Sequence, residues 1–205
     1  KHESKVNIVL KSDLLKKIQK ENNGILRTKT VVDNGISRTY FMEYVRKNKF
    51  EKISQGIYLA PNSWTDGLYL LQLRFKGIIF SHETALYLGD LTDREPLQYT
   101  VTVKTGYNYS ALSQQNIKVY SIKKELYELG AIQILSPGGH ELRCYNAERT
   151  LCDILRSRND IEIQDFQNAI KNYMKSKSKN IPLLMRYAKE LHVETILRKY
   201  LEVLM

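Results

Sequence analysis

Between Ser37 and Pro61 the sequence SRTYFMEYVRKNKFEKISQGIYLAP sets two arginines and three lysines where they can grip a polyanion. Wound as a helix at about 100° per residue, Thr39, Met42, Glu43, Arg46 and Lys47 share one arc, opposite Phe41, Tyr44, Val45 and Asn48. The apolar arc would seat the helix, and the other would face outward. Arginine can hold guanine through two parallel hydrogen bonds, and threonine can meet a base edge or a thymine methyl. Arg38 and Thr39, beside the capping residue Ser37 at the helix start, are therefore the expected base readers, with Tyr40 flanking them. Arg46, Lys47, Lys49 and Lys52 run onto the following strand, where phosphates are the expected partners. Gln55 tops a Gln-Gly turn that could reach a minor groove, and Lys29 lies where a helix start and a cation can share one phosphate.

Other chemistry-bearing residues do not complete a site. His82-Glu83 opens the zinc-protease pattern, but Leu86 stands where the second histidine is needed. Asp90, Asp93 and Glu95 precede the strand Thr100–Lys104 in the order of a metal-dependent nuclease, yet the required carboxylate two residues before Lys104 is Thr102. Pro137-Gly-Gly-His140 has no following helix and reads as a hairpin turn, not a phosphate loop. Cys144 and Cys152 fall in apolar segments and read as small buried hydrophobes, not as a disulfide or zinc site. No catalytic residue, metal or cofactor is expected, and an enzyme is not.

These residues need elements to position them. Lys11–Asn23 predicts a helix capped by Ser12 or Asp13 and stopped by Gly24; Thr28–Gly35 predicts a second, capped by Thr28 and ended by Asn34-Gly35. Ser37 opens a third, reaching about Asn48, and Phe50–Ser54 and Gly56–Pro61 predict a hairpin around Ser54-Gln55-Gly56. Three helices followed by a hairpin is the order of a winged helix-turn-helix, here residues 1–62. Asn62–Gly67 reads as a linker before a helix beginning at Leu68 that would bridge the two parts.

Residues 63–205 predict an α+β domain. Its parts are a helix over Ser81–Leu91, strands at Gln98–Lys104 and Asn116–Ile122, a hairpin of Ala131–Ser136 with Glu141–Asn146, and helices from Ala147 onward. The sheet is expected to hold several antiparallel strands. The amphipathic segment His192–Met205 is expected to pack on its own domain. The overall class is thus α+β: a winged helix, then an α+β domain with a helical C-terminal segment.

Charge follows the same division. Of the net +10, residues through Asn62 supply 13 basic against 6 acidic side chains, and the remainder 19 against 16. A basic module joined to a nearly balanced body suits nucleic-acid binding. With 42% hydrophobic and 26% charged residues the chain has a soluble globular composition, and no apolar run nears the roughly 18 residues of a membrane span. Lys1–Ile8 lacks a secretory hydrophobic region, so the cytoplasm is the expected compartment and no membrane partner is expected.

The phrases ISQGIYLAP, FSHETALYLGDL and YNAERTLCDILR, in that order, resemble the AbiEi antitoxin family of type IV toxin-antitoxin and abortive-infection systems. The resemblance implies a repressor of its own operon that binds inverted repeats in double-stranded DNA; two or more protomers along the site are expected because one winged helix covers too little DNA for high specificity. It also implies a C-terminal domain that counters a nucleotidyltransferase-like toxin without a stable complex. Its motif transfers to Arg38, Thr39, Arg46, Lys47 and Lys52. Arg149 and Asp153, four apart on one helical face, read first as an ion pair; were that face open, it would be the candidate antitoxin surface. The competing class is a DNA-targeted nuclease or a nucleotidyltransferase accessory enzyme.

Overall fold

A computed structural model describes residues 2–64, 66–159 and 163–204. The chain divides into two compact units, 1–74 and 75–205.

The first unit runs α1 (His2–Glu21), β1 (Ile25–Arg27), α2 (Thr28–Asp33), α3 (Arg38–Lys47), β2 (Glu51–Ser54), β3 (Ile57–Leu59) and α4 (Gly67–Arg74). Leu15 and Ile18 of α1 are buried with Val31, Ile36, Phe41 and Val45, the apolar positions that the helical spacing predicts. α1 extends well before Lys11, so Ser12 and Asp13 are internal to it rather than capping, and Asp13 pairs with Lys16 at 3.5 Å. The cap of α2 is Arg27, in extended conformation without a side-chain bond, not Thr28.

Between α2 and α3 the chain makes a Schellman turn. Gly35 takes φ +81, its N–H donates to the Val32 carbonyl at 2.9 Å, and the Ile36 N–H donates to Val31 at 3.2 Å. Ser37 then caps α3 as expected, accepting from the Tyr40 N–H at 3.3 Å.

Two features of this unit differ from the expectation. Ile25-Leu-Arg27, too short to show a strand period, forms β1 and pairs antiparallel with β3, giving sheet order β1-β3-β2. The helix from Leu68 belongs to the first unit, which moves the boundary from 62 to 74. The sheet has two apolar faces: Leu26 and Tyr58 meet the helical core, whereas Ile25, Ile53, Ile57 and Leu59 cluster with Leu73, Tyr69 and Leu70 of α4. Without α4 that second face would be wet. The Arg27 guanidinium donates to the Tyr69 hydroxyl at 2.6 Å, and Arg74 pairs with Glu51 at 3.3 Å.

The second unit runs β4 (Ile79–Phe80), α5 (His82–Leu88), β5 (Thr100–Lys104), α6 (Ser110–Ser113), β6 (Lys118–Ile122), α7 (Lys124–Tyr127), β7 (Ala131–Leu135) and β8 (Glu141–Tyr145). Helices α8 (Ala147–Arg156), α9 (Ile163–Lys175), α10 (Ile181–Glu190) and α11 (Glu194–Leu204) complete it. Its sheet has the order β6-β5-β4-β8-β7. The expected antiparallel character holds for β4–β5 and β7–β8, but β4–β8 and β5–β6 are parallel, because helices intervene between those strands. The core gathers Leu151, Cys152, Ile154 and Leu155 of α8 with Phe166, Tyr173, Leu184, Leu197 and Leu201 of the later helices. The terminal helix thus packs on its own unit. Among the described residues, no helix is long and apolar enough to cross a membrane.

Candidate nucleic-acid interface

Helix α3 divides as its sequence predicts. Phe41 and Val45 are buried, Phe41 meeting Tyr58 edge-on with ring centroids 5.5 Å apart, while Arg38, Thr39, Glu43, Arg46 and Lys47 are exposed along with Ser37. Met42 borders the face, its sulfur accepting from the Tyr58 hydroxyl at 3.5 Å. Tyr40 is half-buried at the core margin, with the Lys11 ammonium 5.9 Å from its ring centre, so packing takes much of the side chain expected beside the base readers. Burial and the neighbouring Tyr40 raise the Tyr44 phenol above its ordinary pKa.

The strand alternation sorts charge. Lys52 is directly opposite Tyr58, so it projects from the sheet face that meets α3; Glu51 and Ile53 turn to the face that α4 covers, where Arg74 takes the Glu51 carboxylate. Among the described residues, none of Arg38, Arg46, Lys47, Lys49 and Lys52 enters an ion pair. Glu43 is the acid left on that face of α3. Arg38 and Arg46 are about 12 Å apart along the helix axis at 1.5 Å per residue.

Lys49 adds a feature that spacing alone hides. Helix α3 ends in a second Schellman turn, with the Lys49 N–H donating to Arg46 at 3.3 Å and the Phe50 N–H to Val45 at 3.0 Å. At the position where Gly35 serves α2, this turn carries an exposed lysine at φ +54. A lysine in the left-handed region is costly where glycine is free.

The hairpin joining β2 and β3 turns through Gln55 and Gly56, Gly56 taking φ +75, with a register shift between Lys52 and Ser54. The Gly56 carbonyl accepts from the Thr28 N–H at 2.8 Å, which ties the tip to the start of α2. Gln55 remains exposed. That bond takes the Thr28 N–H, and Lys29 next to it is an exposed cation.

Arg149 and Asp153 are not a surface. Arg149 is 0% exposed and Asp153 3%, because α8 is enclosed by the sheet and the later helices. The Arg149 Nε donates to Asp153 Oδ2 at 2.9 Å, its Nη1 to the Leu126 and Leu129 carbonyls at 2.7 Å each, and its guanidinium lies 4.2 Å from the Tyr145 ring centre. This arginine fastens the connection before β7 to α8. Burial pushes the Asp153 carboxyl above its usual pKa against the opposing pull of Arg149.

Around His82 lies a polar network that motif matching could not find. His82 is 3% exposed, stacked on Tyr120 with centroids 3.6 Å apart, and held at φ +48. Thr102 Oγ1 donates to Ser81 Oγ at 2.9 Å, Ser81 Oγ lies 3.0 Å from His82 Nδ1, and His82 Nε2 lies 3.3 Å from Ser157 Oγ. In one direction three protons of this network have acceptors: Thr102 hydroxyl to Ser81, Ser81 hydroxyl to Nδ1, and Nε2–H to Ser157. That direction of bonding corresponds to the neutral Nε2–H form of His82. Burial, then Lys118, Arg149 and Arg156, push its pKa down to about 3, far below the range of a general base at neutral pH. Thr102, which stands where a nuclease carboxylate would, is a link in this chain. Cys144 and Cys152 are buried free thiols whose pKa values burial pushes up to about 12. Among the described residues, no cluster of histidine, cysteine and carboxylates could hold a metal ion.

Among solved structures, the chain is similar to the crystal structure of the RV2827C protein from Mycobacterium tuberculosis. The TM-score is 0.60 over 87% of this chain and 70% of that one, at 11% sequence identity. Likeness at that identity concerns the fold alone. No family model and no curated protein matches the chain.

Proposed function

We propose that residues 1–74 form a winged helix-turn-helix that binds duplex DNA, with α3 in the major groove and the β2–β3 hairpin as its wing. The observation that carries this reading is the sorting of charge. Five exposed cations without ion pairs among the described residues lie on α3, its terminal turn and β2, while alternation delivers Glu51 to α4. Arg38 and Thr39 read bases; Arg46, Lys47, Lys49 and Lys52 hold phosphates. On the resemblance to AbiEi antitoxins, the DNA is the inverted-repeat operator of the protein's own toxin-antitoxin operon. Residues 75–205 then supply the antitoxin function, acting without a stable toxin complex.

Four phosphate contacts predict that log affinity falls with log salt at a slope of about −3.6. Replacing Lys47 and Lys52 by alanine should flatten the slope to about −1.8 and weaken all sequences alike, whereas Arg38→Ala with Thr39→Ala should relax operator preference. Fluorescence anisotropy of operator and scrambled duplexes across a salt series measures both. A flat salt response of the unmodified protein would refute DNA binding by this face.

A further inference from the structure

Strand β7, Ala131-Ile-Gln-Ile-Leu135, is an edge of the second sheet and carries no charged residue. Sheet edges are ordinarily blunted by charge, proline or a covering element. The opposite edge follows that rule: β6 begins at Lys118, is followed by Lys123 and Lys124, and has α6 against it. β7 itself carries neither charge nor proline, Pro137 standing two residues past its end, and Ile132 and Leu135 are 41% and 63% exposed.

Its register shows which backbone groups are open. Ser136 N–H donates to the His140 carbonyl and Asn146 N–H to the Gly130 carbonyl, so the hydrogen-bonded pairs of this hairpin fall at even positions of β7. Residues 131, 133 and 135 accordingly aim N–H and C=O away from β8. The Ala131 N–H is satisfied by Glu128 at 3.1 Å; among the described residues, no partner takes the backbone groups of Gln133 and Leu135.

We propose that β7 pairs antiparallel with β7 of a second copy of this chain, about a two-fold axis at Gln133. In that register the two Gln133 residues exchange two backbone bonds, and each Leu135 N–H reaches the partner's Ala131 carbonyl. Ile132 then faces the partner's Ile134, an aliphatic cross-strand pair of the kind that stabilises sheets. A second copy is the fitting occupant because the strand is complementary to itself and uncharged: two molecules of net charge +10 meet with least repulsion where each presents none. Five residues a side is a small contact, so the dimer is weak and depends on concentration.

Sedimentation velocity of the full chain without DNA is expected to show reversible dimerisation within a range reaching about 200 µM. Ile132→Lys, at an exposed position, should abolish it with an unchanged circular dichroism spectrum and melting temperature. Because Cys144 and Cys152 are buried, a new edge thiol is the one open to oxidation. Gln133→Cys should cross-link to its own copy under mild oxidant, and Leu135→Cys, offset from its counterpart, should not. A chain that stays monomeric throughout, an Ile132→Lys variant that still dimerises, or equal cross-linking at both positions would each overturn the proposal. As no DNA is present, these outcomes are independent of whether the first unit binds an operator.

Discussion

At Lys49 local stability and charge placement conflict. The turn ending α3 asks for glycine, as its counterpart at Gly35 shows, yet the chain holds a lysine at φ +54. Lys49→Gly is expected to raise stability by about 0.5–1 kcal/mol, while shallowing the salt slope of DNA affinity by about 0.9. Chemical denaturation and the anisotropy series read the two effects separately; unchanged DNA affinity would leave the strained lysine without this role. His82 poses a different question. Its folded pKa of about 3 lies below the ordinary 6.5, so as pH falls through 6.5 the unfolded chain gains a proton that the folded chain refuses. Stability should therefore fall as pH drops from about 6.5 toward 3, by up to about 1.4 kcal/mol per pH unit. Glu83 and Asp153, pushed up by burial, oppose this trend, so the comparison is with His82→Asn, an uncharged residue that tolerates the left-handed region. Thermal melts between pH 5 and 7 should show the unmodified protein losing more stability than the variant; parallel curves would refute a proton-refusing His82.

Among the elements, those with a strong period or cap were legible in the sequence. Helix α3 with its Ser37 cap, the β7–β8 hairpin and the helical run from Ala147 all lie where spacing predicts. Short or context-dependent pieces were not. β1 has three residues and exists because β3 offers it a partner, and α4 is apolar around most of its circumference, so its allegiance depends on which sheet face needs covering. The site followed the same rule: exposed arcs could be read from periodicity, but the burial of Arg149 depends on what surrounds α8, and the strain at Lys49 on a turn type. A boundary at 74 has a direct consequence. A fragment of residues 1–74 should unfold cooperatively, whereas 1–62 would expose Ile25, Ile53, Ile57 and Leu59, each worth roughly 1.5–3 kcal/mol on burial. Denaturant titration of both fragments checks this, and a shorter fragment of equal stability would show that α4 is dispensable.

For the whole molecule, charge is distributed so that the two proposed associations, with DNA and with a second copy, would draw on different parts of the chain. Residues 1–74 hold 14 basic against 7 acidic side chains and residues 75–205 hold 18 against 15, so the excess of +10 divides as +7 and +3. Within the second unit the buried Arg149 bonds to Asp153 and two backbone carbonyls through Nε and Nη1, its Nη2 having no hydrogen-bond partner among the described residues, and the uncharged edge of the sheet lies at β7. A phosphate-gripping face draws its affinity from released counterions and weakens steeply with salt. Strand pairing draws on backbone bonds and aliphatic contact and releases none, so salt that loosens the first leaves the second standing and screens the repulsion between copies. Two copies joined at β7 would carry two DNA-binding faces, and a bound first face would raise the local concentration of the second at a neighbouring half-site. On the two proposals together, a weak dimer would suffice for tight occupation of an inverted repeat, because the duplex would supply the concentration that free solution lacks.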